Sequence, residues 1–236
     1  MIATTPSKAS SSSDRDDAVK PFKPPTPIAT NSLIGLCVVV QVATAIAGAG
    51  FADAVHFNFG LIPARITAAI AGRADAVSAF ATLFTHIFLH GGWLHLGLNV
   101  LFLAWVGRYV EWVTGRWAVV GIFLAGGIIG GIVQVLAGTA DTLPVVGASG
   151  AIAAVFGAYA VLFAQSRVSA RRVLGLTISG ETLTALWYAA TWIALQLLTA
   201  VAFQGGGMQV AIWAHIGGFI AGLLIARIWG RGPQPL

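Results

Sequence analysis

Residues 182–226 read TLTALWYAATWIALQLLTAVAFQGGGMQVAIWAHIGGFIAGLLIA, 45 positions without one Asp, Glu, Lys or Arg. A helix needs about 20 apolar residues to cross a bilayer, so this run holds two crossings. Gly205–Gly207 supply the turn that divides them. Four more charge-free runs precede it, at 24–52, 76–107, 117–140 and 142–166, and each holds one crossing. Only 9% of the 236 residues are charged and 57% are apolar, against about a quarter charged in a soluble domain. That balance excludes a water-soluble globule, which needs charge to cover its surface, and also a disordered or fibrous chain. The net charge of +5 does not point to nucleic acid, because no Lys/Arg cluster alternates with aromatics on a polar segment. Cys37 stands alone in an apolar run, so disulfides and cysteine metal sites are out, and a small buried thiol accounts for it.

The sequence predicts an all-α, polytopic membrane protein of six spans, at 33–50, 93–112, 117–137, 149–166, 182–203 and 209–229. Residues 1–30, rich in Ser, Thr and Pro with mixed charge, are expected to form a disordered cytoplasmic tail. The tail has no apolar stretch of signal-peptide type, and Asp14, Asp16 and Asp17 argue against a transit peptide. Residues 31–230 are expected to form the membrane domain. Counted on alternate sides, Lys and Arg divide 11 to 2, with only Arg65 and Arg73 on the poorer side. The positive-inside rule then puts both termini in the cytoplasm. The connection at about 51–92 is long and moderately apolar, and reads as a half-immersed outer loop with short interfacial segments. The short chain with no extra span points to a bacterial inner membrane.

Polar side chains at membrane depth are costly and usually functional. Three sets stand out: His86, His90, His95 and Asn99; Gly147-Ala148-Ser149-Gly150; and His215 followed by Gly217, Gly218 and Gly222. Asn99 and His215 each lie six residues past a span start, roughly 9 Å deep at 1.5 Å per residue. Ser149 opens the fourth span after a loop holding Pro144 and Gly147, so the three sets are expected to meet in the outer part of one bundle. A serine hydroxyl needs a neighbouring base to act as a nucleophile, and histidine is the usual one. A helix start aims free N–H groups at a developing oxyanion. His95 and Asn99 are four apart on one helical face and offer further donors. None of the eight acidic residues falls beside His215, so the expected arrangement is a Ser–His dyad. Ala153 with Gly157, and Ala214 with Gly218 and Gly222, give the small faces that let helices approach closely.

Other readings were weighed on the same residues. Alone, Ser149 reads as a helix cap and His215 as an interhelical hydrogen bonder. A zinc site fails because His90 and His95 are off a single face and no acidic or cysteine ligand lies near, so no metal and no cofactor are expected. Glu111 reads as a helix-end contact. The Gly126-Gly127 and Gly130-Gly131 pairs read as packing residues, since they lie mid-span. A solute channel or transporter has neither an inverted repeat nor a buried charge behind it.

The ordered set His95-Leu-Gly-Leu-Asn99, Gly147-Ala-Ser149-Gly150 and Ala214-His215-Ile-Gly-Gly218-Phe-Ile-Ala-Gly222 resembles the rhomboid family of intramembrane serine proteases, over roughly residues 33–230. The resemblance implies Ser149 as nucleophile and His215 as base, with His95, Asn99 and the Ser149 amide serving the oxyanion. It implies that His90 helps hold the outer loop, with Gly147, Gly150, Gly218 and Gly222 in support, and that Glu111 with Gly115 forms a motif at the cytoplasmic end of the second span. The implied partners are transmembrane protein substrates and the lipid bilayer; nothing in the sequence sets the oligomeric state. Two departures stand out. A Trp-Arg pair frequent in the family's first outer loop is replaced by Ala81-Thr82. Position 153 is Ala, where relatives often place a ring against the catalytic histidine. These departures leave a second reading open, a non-catalytic binder or sorter of transmembrane helices.

Overall fold

The structure, a computed structural model, describes residues 25–163 and 211–229 continuously and residues 171–194 in part. The expected tail up to residue 24, the Gly205–Gly207 turn and much of the fifth span lie outside the described residues. Helix α1 (Ile28–Ala47) is followed by three short helices, α2 (Ala49–Phe59), α3 (Pro63–Ile70) and α4 (Ala76–Thr85), and a 3-10 turn at His86–Phe88. Then come α5 (Trp93–Thr114), α6 (Arg116–Ala137) and α7 (Ser149–Leu162). A small hairpin, β1 (Arg171–Val173) with β2 (Leu176–Ile178), precedes the last helix, α8 (Ile212–Trp229). Helical backbone also occurs among the described residues between 180 and 194.

The fold is all-α as expected, with one small addition: β1 and β2 pair antiparallel with Arg171 opposite Ile178. The expectation of six spans is met only in part. Among the described residues, α1 and α6 are by length and composition sufficient to cross a bilayer, and α4 with its 3-10 turn joins α5 in a pair bent by 75° that passes the same test together. Helices α7 and α8 are apolar but shorter. The physical reason for a short α7 is its position: every residue from Gly150 to Ala158 is buried, because α5, α6 and α8 surround it. A helix wrapped by protein is not required to match the bilayer thickness.

Helix α1 begins at Ile28, five residues earlier than the span drawn from hydropathy. Glu111, near the end of α5, causes this. Its two carboxylate oxygens accept hydrogen bonds from the backbone N–H of Ala29 at 2.9 Å and of Thr30 at 2.8 Å, and from the Thr30 hydroxyl at 2.7 Å. A carboxylate from another helix thus caps N–H groups that α1 cannot satisfy itself, and meets the positive end of its dipole. Gly107, one turn before Glu111, makes room: a Cβ there would stand 2.8 Å from Thr30 Cγ2.

The 51–92 connection is built of three short helices. Helix α2 buries none of its residues. The Arg65 guanidinium closes its C-terminal end, donating to the carbonyls of Phe57 at 2.8 Å and Asn58 at 3.4 Å. Leu61 exchanges two backbone hydrogen bonds with Val145, at 2.9 and 2.8 Å. That bridge ties the connection to the loop that leads into Ser149.

Candidate active site

Ser149 is the first residue of α7, and Ala148 before it offers no side-chain cap. The first N–H groups of the helix therefore have no intrahelical acceptors and point out of its end. His215 lies in the first turn of α8, three residues past Ile212 rather than six past a span start, so it sits shallower along its helix than the sequence spacing suggests. Two helix starts face each other. The Ser149 Oγ–His215 Nε2 distance is 2.6 Å.

Small residues make this approach possible, as expected. A Cβ on Gly218 would collide with the Gly150 carbonyl oxygen, one on Gly222 with that of Ala154, and one on Gly157 with that of Phe219. Backbone touches backbone along the whole α7–α8 contact. The glycines of α6 serve the same end, since a Cβ on Gly126 would meet Ala154 Cβ and one on Gly130 would stand 2.5 Å from the Ala214 carbonyl oxygen. Ala153 is fully buried, and its Cβ lies 3.4 Å from where a Gly218 Cβ would stand. Its small size belongs to this close contact.

Hydrogen-bond roles follow from the partners. For Ser149 to donate to Nε2, the His215 proton must sit on Nδ1. That atom is buried and has no hydrogen-bond partner among the described residues. At His95 the Gly91 N–H donates to Nδ1 at 3.4 Å, which leaves Nε2 as the protonated donor. Gly147 has φ +133, and a Cβ there would lie 2.7 Å from His95 Nε2 and 3.7 Å from Ser149 Oγ. A side chain at 147 would both strain the backbone and cover the donor, so glycine is required twice over.

Asn99 and His90 line a small cavity with Ala148, Ile152 and Cys37, of about 10 Å³. Asn99 Nδ2 is buried without a partner among the described residues, and so are both ring nitrogens of His90. Buried polar atoms nearly always have partners, so this amide donor, lining a cavity with Ala148, is an exception among the described residues. His90 follows two residues after the 3-10 turn at His86–Phe88. It props the His95 ring edge-on, with centroids 5.2 Å apart.

Three residues do work that sequence reasoning did not assign. The His86 carbonyl accepts from the Gly147 N–H at 3.0 Å and fixes the loop before Ser149. Gln134, buried on α6, accepts from the Ala214 N–H at 3.2 Å and caps α8 one residue before His215. Trp192 meets the His215 ring edge-on, at 6.1 Å and 78°. A lone Gln within an apolar span was the only signal for the second; the others carried none.

A family model described as the Rhomboid domain matches residues 77–232, which include every member of the site. RHOMBOID-like protein 5 of Arabidopsis thaliana is 30% identical over 152 residues, covering 64% of this chain and 45% of the relative. The match thus spans less than half of that relative's length. With its apolar helices and the matched domain, the chain is an integral membrane protein, and it belongs to the rhomboid family.

Proposed function

We propose that the protein is an intramembrane serine endopeptidase that cleaves transmembrane segments of other membrane proteins with a Ser149–His215 dyad. The observation that carries this reading is the 2.6 Å Oγ–Nε2 contact between two helix starts. In the proposed reaction, Ser149 Oγ attacks the peptide carbonyl carbon while its proton passes to His215 Nε2. The oxyanion takes hydrogen bonds from the Ser149 amide, His95 Nε2 and Asn99 Nδ2. The C–N bond then breaks, and the leaving amine receives the proton from Nε2. Water attacks the ester carbon, giving a proton to His215 that returns to Oγ as the acid product leaves.

Access of water from the outer face and a bundle of six spans with both termini cytoplasmic belong to the same proposal. They are supported by the 11 to 2 division of Lys and Arg. The exposed Phe51, Phe57, Phe59 and Val77 of the outer connection support its half-immersion in lipid. A plant relative gives no support to a bacterial inner membrane, and the proposal does not include one. The substrate class is a helix that unwinds easily, because a peptide bond within an intact helix is shielded. Cleavage of a transmembrane substrate in proteoliposomes by the wild type, and its loss in Ser149→Ala, tests the reading; cleavage that persists in Ser149→Ala sinks it. The second reading, a non-catalytic binder of transmembrane helices, rests on Ala153 and Ala81-Thr82. Covalent labelling of Ser149 by a fluorophosphonate, lost in His215→Ala, decides against it.

A further inference from the structure

The His215 ring has one hydrogen bond among the described residues, to Ser149, and that bond cannot hold the ring through a whole turnover. Once Oγ carries the acyl group it has no proton to donate. Nδ1 is buried and unpartnered, so no carboxylate keeps the imidazole in its plane at that stage. Some other contact must.

The Trp192 ring stands at 6.1 Å and 78° to the His215 ring. Trp192 is itself fixed by two near-parallel stacks, on Phe219 at 5.3 Å and 21° and on Phe156 at 6.0 Å and 26°. Phe219 lies four residues after His215 on the same face of α8, and Phe156 belongs to α7. Trp192 is thus held by both helices that carry the dyad, and its position relative to His215 is set by them. Edge-to-face contact is the favoured geometry between aromatic rings, because the positive edge of one meets the negative face of the other.

We propose that Trp192 is the positioning residue for His215, taking the orienting role that a carboxylate has in a three-member serine protease site. The proposal rests on the proteolytic reading above. It makes the base dependent on a ring from outside α7 and α8.

The test uses the full chain in proteoliposomes with a cleavable transmembrane substrate. Trp192→Leu keeps apolar bulk without the ring, and Trp192→Phe keeps a ring. Trp187→Ala, at a tryptophan 68% exposed on the same segment, serves as the control with unchanged activity. Trp192→Leu is expected to lower kcat by about 10- to 100-fold, the scale of a misplaced catalytic group, with KM changed by less than about twofold. Trp192→Phe is expected to recover most of kcat. Wild-type kcat in Trp192→Leu overturns the proposal, as does equal loss in the Leu and Phe variants, which assigns the effect to packing. Should the leucine variant fail to fold, Trp192→Met carries the same comparison. Cleavage abolished by Ser149→Ala together with an unaffected Trp192→Leu removes the positioning role and leaves the protease reading standing. Cleavage that survives Ser149→Ala removes both.

Discussion

Two places on α5 treat buried polar groups in opposite ways. At Glu111 both carboxylate oxygens are in use, taking three hydrogen bonds from the start of α1. At Asn99, twelve residues and about 18 Å earlier on the same helix, the amide nitrogen is buried with no partner among the described residues, and the His215 Nδ1 and both nitrogens of His90 share that state. Leaving a buried donor unsatisfied costs about 1–3 kcal/mol. A fold that saturates one cluster and leaves the other open distinguishes a staple from a tool. On the proposed proteolytic reading, the difference separates the polar groups that serve the fold from those that await a substrate.

The sharpest way to break that comparison is at the nucleophile. Ser149→Ala is expected to reduce cleavage at least about 10⁴-fold, while the unfolding midpoint in detergent stays at its wild-type value. His215→Ala should cost about as much, and the double variant little more, because the two act as one unit. Asn99→Ala comes next, with an expected loss of about 10²–10³ in kcat, typical of one oxyanion donor. Its stability should hold or rise, since an unpaired amide is removed; a marked fall in the midpoint would place Asn99 among the staples instead. Glu111→Ala is expected to do the reverse. Removing the acceptor orphans two backbone N–H groups and a hydroxyl, for a loss of about 3 kcal/mol read by chemical unfolding, with kcat per folded molecule unchanged. Gly218→Ala probes the contact between α7 and α8 that brings Ser149 and His215 together. A Cβ against the Gly150 carbonyl is expected to cost about 1–3 kcal/mol and to lower kcat as well, because the wedge sits beside the dyad.

The smallest effect lies at the surface. The Asp75 carboxylate caps α4 by accepting from the Ser78 N–H at 2.7 Å, and hydrogen bonds from Ser78 hold its pKa below the ordinary carboxylate value. The charged form is therefore favoured by folding. The cap's contribution is complete above the unfolded value and is lost as pH falls through the lower folded one. Asp75→Asn is expected to blunt the acid dependence of the thermal midpoint in that range, without changing the midpoint near neutral pH by more than a small amount.

Much of the site was legible in the sequence because its signals are local. The step of four from His95 to Asn99, the glycines around Ser149, and Ala214 with Gly218 and Gly222 each follow from helical periodicity within one segment. What escaped depends on which segments become neighbours. Gln134 caps α8 across 80 positions of sequence, and the His86 carbonyl fixes Gly147 across a loop. Neither leaves a periodic trace. The start of α1 was misplaced by five residues because its cap is supplied by Glu111, 81 and 82 residues away. Hydropathy also overstated α7, since it measures apolar length and cannot say whether protein or lipid lies around a helix.

The glycine-lined seam between α7 and α8 has a consequence for inheritance of the chemistry. Because main chain lies on main chain at Gly157, Gly218 and Gly222, no side chain stands between the helices to absorb a change by adopting another rotamer. A single added methyl at Gly222, seven residues and about 10 Å along the axis from His215, is transmitted as a tilt of the whole helix and reappears as separation at the dyad. The spacing of Ser149 Oγ and His215 Nε2 is therefore written at positions that carry no polar side chain, and the pair is most easily parted there.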